Sequence, residues 1–497
     1  MKYTDYMALS TAKKAQIKVS DAVRSIPSGI KQLAGRAADG VCHAGKGLAH
    51  GFIDFFSRFA QGDWITRLSY LFMGFGCICR HQVVKGLVFF GIQIGYLWYM
   101  VSFGLSQILL LGTLGTATQL KVWDEAAGIF RYVTGHNSML ILLFGVASLF
   151  LTVLVAALYG MNTRIAYQNQ LLAAKGLRPA GIRQDCHSLL DDRLHITFLS
   201  LPTLGVVAFT ILPLIFMILM AFTNYDKFHQ PPGNLFTWVG LVNFKDMLWD
   251  DPLKSHTFVE LFKWTIVWAF FSTITNYIFG MILALMINKK GIRLKGLWRT
   301  IFVTTIAVPQ FVTLLLMSKM LNELGPINVI LQQLGLTSGP IPFLTDGTLA
   351  KITLIVVNMW VGIPYTMLIT SGILMNIPAD LYESAKIDGA GPIKIFGSIT
   401  LPYMIFVTTP YLITQFINNM NNFNVIFLLN AGDPKTLDYF QAGKTDLLVT
   451  WLYKQTVTEQ NYNLAATIGI IMFVITAVVS LIVYNSSASV KKEDEFQ

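Results

Sequence analysis

Apolar residues run through this chain in long uninterrupted stretches, and its charge is confined to the gaps between them. Eight stretches of at least 19 residues contain no Asp, Glu, Lys or Arg: 86–111, 139–160, 196–222, 264–288, 300–318, 352–375, 403–428 and 464–485. About 20 apolar residues in a helix cross roughly 30 Å of hydrocarbon. Lipid admits helices because each satisfies its own backbone groups. The pattern predicts an all-α, polytopic integral membrane protein with about eight transmembrane helices. Tyr159, Tyr225, Trp264, Trp298 and Tyr484 sit near the ends of these runs, as interfacial aromatic belts require.

Composition agrees. Of 497 residues, 54% are apolar and 13% charged, where a soluble protein carries about 25% charged. That excludes an ordinary soluble enzyme and a disordered chain. The net charge of +10 suits either nucleic acid or basic cytoplasmic loops. With the N-terminus inside, the cytoplasmic segments hold 26 Lys/Arg and the external ones 8, while acidic residues divide 14 to 13. This asymmetry predicts an N-in, C-in topology, so the positive charge reports orientation, and no nucleic-acid partner is expected.

The first 30 residues lack the apolar core of a signal peptide. Residues 1–66 read as a cytoplasmic N-terminal extension. Ile30, Leu33, Ala37, Val41, Ala44, Leu48, Phe52, Phe55 and Phe59 form one helical stripe, as an amphipathic helix on a membrane surface would. Six glycines between 29 and 51 oppose helix there, leaving a weakly helical tail as the alternative. Residues 67–258 form an N-terminal membrane region with about three spans, 259–490 a core, and 491–497 a cytoplasmic tail. Cys42, Cys77, Cys79 and Cys186 read as reduced thiols, since the one close pair has disulfide-unfriendly spacing and no second ligand pair for zinc stands nearby.

No Asp or Glu lies within a span. Ion-driven transporters usually bind the coupling ion on an intramembrane carboxylate, so a secondary transporter is disfavoured. Two stretches imitate a phosphate-binding loop. Gly40 to Gly47 ends in Gly where a hydroxyl should hold magnesium, and Gly443-Lys444-Thr445 has Asp438 where the first glycine belongs. Neither follows a predicted strand, and the spans contain no nucleophile–base pair or metal cluster. The chain reads as a non-enzyme without a cofactor or metal of its own: a passive channel, or a pump part energised from elsewhere.

The loop 376–402 is where such energy could enter. Asn376 is placed to cap a short helix, Pro378 suits its first turn, and Asp380 and Glu383 complement its positive end. Gly389 ends the helix, and Pro392 opens a second one leading into the seventh span. The run Glu383-Ser384-Ala385-x-x-Asp388-Gly389-Ala390, followed by Phe396, Ile399 and Leu401-Pro402, resembles the EAA loop of binding-protein-dependent ABC importer permeases with the MetI-like domain. Ser384 departs mildly, standing where Ala is usual.

The resemblance covers about 260–485 and narrows to the maltose/maltodextrin (MalF-type) permease subunits. Arg299-Thr300 to Val308-Pro309, Asn358 to Tyr365, Asn418 to Leu429 and Ala442 to Val449 carry it, while residues 63–86 are similar to Gram-positive versions. It implies a type I importer permease fold in a Gram-positive-type cell membrane, with Glu383, Ser384, Ala385, Asp388, Gly389 and Ala390 docking on an ATPase. The implied partners are a second (MalG-like) permease, an ATPase dimer that uses ATP-Mg, an extracellular sugar-binding lipoprotein, an oligosaccharide and lipid.

Amides within the spans suggest where a sugar would sit. Asn358, Gly362 and Tyr365 fall at i, i+4 and i+7, as do Gln415, Asn419 and Asn422. Amides both donate and accept, which suits sugar hydroxyls. The resemblance implies Asn358, Gly362, Tyr365, Asn419 and Asn422 as sugar contacts, with Gln310 and Gln415 at positions where maltose-type relatives differ. Hydrogen bonds between helices are the competing use of such amides. The saccharide is expected to be a maltodextrin, with a galacto- or raffinose-type oligosaccharide as the alternative.

Overall fold

The computed structural model describes residues 50–486, apart from 126, 133, 134 and 290. The proposed surface stripe therefore lies mostly outside the described residues, and its last part, 50–61, is helical. Among the described residues the regular structure is helical apart from one antiparallel ribbon, β1 (Lys121–Asp124) and β2 (Ile129–Tyr132), with Lys121 opposite Tyr132, and two isolated bridges. Among the described residues seven helices are long and apolar enough to cross a membrane, or eight if one bent pair counts as a single crossing.

The chain divides into two compact units, one running to Gly240 and one from Leu241 onward. The first contains α1 (Trp64–Leu71), α2 (Val83–Leu110), α3 (Ser138–Ala174) and α4 (Leu194–Met220). At 37 residues, α3 is about 55 Å long, well beyond the hydrocarbon thickness, so one end runs out into water. That surplus carries a buried polar seam. Asn162 accepts from the Gly74 amide at 2.8 Å, and Arg80 donates to the Ala166 carbonyl at 2.8 Å and to both oxygens of Asp63. Burial raises the Asp63 carboxyl, but Arg80 and the Thr66 donors outweigh it and hold the group below the usual carboxylate range. Its contribution is thus complete above about pH 4 and is lost as pH falls further.

The second unit contains α5 (Pro252–Asn288), α6 (Lys295–Ala307), α7 (Gln310–Met320), α8 (Gly347–Leu374), α9 (Ala379–Ile387), α10 (Leu401–Met420), α11 (Phe423–Asn430), α12 (Leu448–Val457) and α13 (Tyr462–Ser486). Two buried tryptophans tie α5 to the rest of the unit. Trp264 donates to the Thr445 carbonyl and Trp268 to the Asn419 carbonyl, each at 3.1 Å. The fifth apolar run, expected as a span over 300–318, is broken rather than continuous. It is α6 and α7, bent by 86° at Val308–Pro309. Pro309 lacks the amide needed to continue the helix. With 13 and 11 residues, neither half alone reaches across about 30 Å.

Gly74 supplies a test. It has φ +85°, and a methyl there would lie 2.0 Å from the Gly86 carbonyl oxygen, whereas a methyl on Gly91 would meet nothing within 4 Å. Gly74→Ala should destabilise the detergent-solubilised protein by at least about 2 kcal/mol. Gly91→Ala, inside α2, should be neutral or slightly stabilising. Thermal unfolding midpoints of the two variants check the contrast.

Candidate functional site

The loop between α8 and α10 is held by its own backbone. Helix α9 ends in Gly389 with φ +74°. The Ala390 amide donates to the Ala385 carbonyl at 2.9 Å, and the Gly389 amide to that of Lys386 at 3.0 Å. These are the two bonds of a Schellman ending. Pro378, not Asn376, occupies the N-cap. Asn376 closes the last turn of α8 instead, its amide donating to Ile373. The Tyr382 hydroxyl bonds that of Thr400 at 3.1 Å, fastening α9 to a π-helical turn, Phe396–Thr400, that opens into α10. Glu383, Ser384, Asp388 and Gly389 are exposed, and Ala385 and Ala390 half-buried. Beside them Ile387 and Ile393 are 86% and 88% exposed.

The residues expected to meet a sugar separate into two groups. Gly362, Tyr365, Gln415 and Asn419 line one small cavity between α5, α8 and α10. Asn358 lies a turn earlier on α8, buried, its Nδ2 without a partner among the described residues. Asn422 also stands apart, because α10 stops at Met420 and the i+7 relation to Gln415 does not survive. Its side chain instead caps α11, accepting from the Val425 amide at 3.3 Å, the use to which short amides are prone at chain turns. Gln310 opens α7 at the bend and accepts from Asn424 at 3.4 Å. Asn419 is buried and donates to the Thr273 hydroxyl at 3.0 Å, so it also fastens α10 to α5.

The cavity measures about 40 Å³. A cavity of about 10–15 Å³ already holds one water, and small-molecule pockets run to hundreds. A sugar ring does not fit inside it. Of the residues that line it, Tyr365 is 49% exposed, so the cavity has an open side there. Tyr365 offers a flat aromatic face beside the Gln415 and Asn419 amides, a combination chemically suited to C–H and O–H groups. Ser272, Thr273 and Asn276 of α5 also line the cavity, and the sequence reading missed them. Ser272 and Asn276, at i and i+4, share a helix face, but that spacing alone does not set them apart from other polar residues of the spans.

A second buried polar centre organises the loop before α12. Asp446 is fully buried and accepts from the Gly443 amide at 2.7 Å, the Thr450 hydroxyl at 2.8 Å and Lys454 at 2.5 Å. Burial pushes this carboxyl upward, opposed by Lys454 and the other donors. A methyl on Gly432 (φ +82°) would lie within 1.9 Å of Asp446. Gly443-Lys444-Thr445, which imitates part of a phosphate loop, is thus occupied in folding around this carboxylate.

Comparison with known proteins adds three findings. The family described as binding-protein-dependent transport system inner membrane component matches residues 276–492. The galactooligosaccharides transport system permease protein GanP of Bacillus subtilis (strain 168) is 33% identical over 87% of this chain and 100% of its own. The maltodextrin transport system permease protein MdxF of the same organism is 33% identical over 85% and 95%. Among solved structures, a chain of a bacterial alginate ABC transporter, crystallised with an alginate pentasaccharide-bound periplasmic protein, aligns with TM-score 0.50. It is 23% identical and covers 62% of this chain and 98% of that one.

The Asp446 centre yields a prediction. Asp446→Ala strands Lys454, which is 17% exposed, and should cost about 3–5 kcal/mol. Adding Lys454→Met should restore part of the loss. The check is a double-mutant cycle on thermal unfolding in detergent.

Proposed function

Because the chain belongs to the binding-protein-dependent transport system inner membrane components, as a multi-pass sugar permease of the ABC importer kind, we propose that it forms half of an ATP-driven path for oligosaccharides. The observation that carries this reading is the rigid helix α9 with its exposed Glu383 face and Schellman ending at Gly389. Maltodextrins are the first candidate cargo. Galactooligosaccharides stand beside them because the relative named for those sugars aligns along its whole length.

In this reading a second permease of similar fold supplies the facing wall of the sugar site, which the small cavity and exposed Tyr365 leave open. An extracellular binding protein delivers the saccharide. Two ATPase subunits on the cytoplasmic side bind and hydrolyse ATP-Mg, and this chain takes no part in that chemistry. Closure of the ATPase pair pushes α9. Tyr382 and Thr400 pass the displacement to α10, which carries Gln415 and Asn419. Rotation of α10 against α5 then exchanges outward for inward access. Asn358, Gly362, Tyr365, Asn419, Asn422, Gln310 and Gln415 are the proposed sugar-facing set. Asn358 and Asn422 reach the sugar only after such a movement, since each is otherwise engaged or buried.

Two measurements on the complete importer in proteoliposomes test the reading. Gly389→Val forces a β-branched residue into a left-handed conformation at a cost of about 1–2 kcal/mol. Together with Glu383→Lys it should reduce saccharide-driven ATP hydrolysis and uptake at least about tenfold while leaving sugar affinity of the binding protein unchanged. Full transport by that double variant would overturn the coupling role. Asn419→Ala with Asn422→Ala should raise the saccharide concentration needed for half-maximal uptake by about tenfold. Unchanged uptake of maltodextrins and galactooligosaccharides alike would overturn the site.

A further inference from the structure

The cavity between α5, α8 and α10 contains two polar atoms that the protein itself does not satisfy. Ser272 is wholly buried, and its Oγ has no hydrogen-bond partner among the described residues. Asn276 Oδ1, one turn further along α5, is likewise buried and unpartnered. Both residues line the cavity, facing Gly362, Tyr365, Gln415 and Asn419. Orphaned polar atoms at membrane depth cost folding free energy and are rare, so each calls for a reason.

The shape of the cavity narrows the reason. At about 40 Å³ it has room for a hydroxyl group or a few waters and is too small for a sugar ring. No Asp, Glu, Lys or Arg lines it, so a charged group has no counterion there. Gly362 controls the depth, since a methyl at that position would lie 2.2 Å from Asn276 Nδ2. The two orphans are chemically complementary to a hydroxyl. Asn276 Oδ1 accepts the hydroxyl proton, and the Ser272 Oγ–H donates to the hydroxyl oxygen.

We propose that Ser272 and Asn276 form a hydroxyl-reading subsite, into which one hydroxyl of the transported saccharide inserts while its ring rests on the open wall at Tyr365. The inference rests on the saccharide-import reading above and deepens it. It places a specificity determinant on α5, outside the two amide stripes. A hydroxyl in the right place satisfies both orphans. A deoxy sugar leaves them unpaired, and an epimer directs its hydroxyl against the wall. Sites built to bond a hydroxyl reject analogues lacking it far better than apolar pockets reject an extra group.

The test uses the complete importer in proteoliposomes with its binding protein, and the saccharide that the unaltered protein imports best. A panel of its monodeoxy analogues removes one hydroxyl at a time. Asn276→Ala and Ser272→Ala should each raise the half-saturating concentration for the parent saccharide about tenfold. For one analogue, the same in both cases, neither variant should change uptake, and the unaltered importer should already handle that analogue about tenfold less well. Asn276→Ser should recover part of the loss. It also carries the test, with Ser272→Ala, if Asn276→Ala fails to assemble, which basal ATP hydrolysis of the complex reports. Equal losses across every analogue would mark a structural or water-binding role and overturn the proposal, as would no loss for any. If the unaltered complex imports no saccharide, the import reading fails first and the subsite with it. That outcome is distinct, because it appears before any variant is made.

Discussion

Everything in the membrane core leans on the close approach of α5 and α8. A methyl on Gly280 would lie 2.7 Å from the Thr366 Cβ and 3.0 Å from the Met367 amide, and one on Gly362 would strike Asn276. Two glycines on facing helices thus bring backbones together where lipid supplies no hydrophobic push between helices. The seam is completed by polar bonds. Asn288 Nδ2 donates to the Ser371 hydroxyl at 2.8 Å, and Arg299, at the cytoplasmic end assigned by charge, donates to Asn288. Once α5 and α8 are fixed, α10 can lie against them through Thr273–Asn419 and Tyr277–Thr408. The cavity, the open wall and the start of the cytoplasmic lever all follow from that triple contact.

Much of this was legible in the chain, for definable reasons. Runs without charge locate the crossings because the cost of burying charge in lipid is large and local. Gly389 announces the end of α9 because few other residues take a left-handed conformation cheaply. The bend at Val308–Pro309 was less visible, since a window long enough to find a span averages across a break. Asn376 misled because a capping residue is also suited to closing the helix before it. Asn422 misled because period counting assumes a helix that continues, and the amides that make the stripe are also the residues that stop it.

Ser272 and Asn276 were hidden for another reason. A serine or asparagine in a span can usually satisfy itself on its own helix, as Thr265 does with the Leu261 carbonyl and Thr275 with that of Phe271. That two of them remain unsatisfied depends on what α8 and α10 place opposite, and no spacing along α5 encodes it. In the first unit the same logic runs in reverse. Gly74, Gly76 and Gly86 were noticed as part of a resemblance, and the structure supplies the cause. The short segment around them packs backbone against backbone, and Asn162 and Arg80 satisfy what that packing buries.

The ending of α9 has an evolutionary corollary. Its shape is written in main-chain bonds and one glycine, while the side chains of Glu383, Ser384, Lys386 and Asp388 face outward with little part in holding it. Stiffness and recognition therefore reside in separate atoms. Under the proposed coupling role, a lineage could exchange the charges on that face, and so retune which motor subunit it accepts, without softening the lever. Loss of the glycine would remove the lever whatever the charges say. Drift in partner choice is cheap at this joint, and drift in mechanics is not.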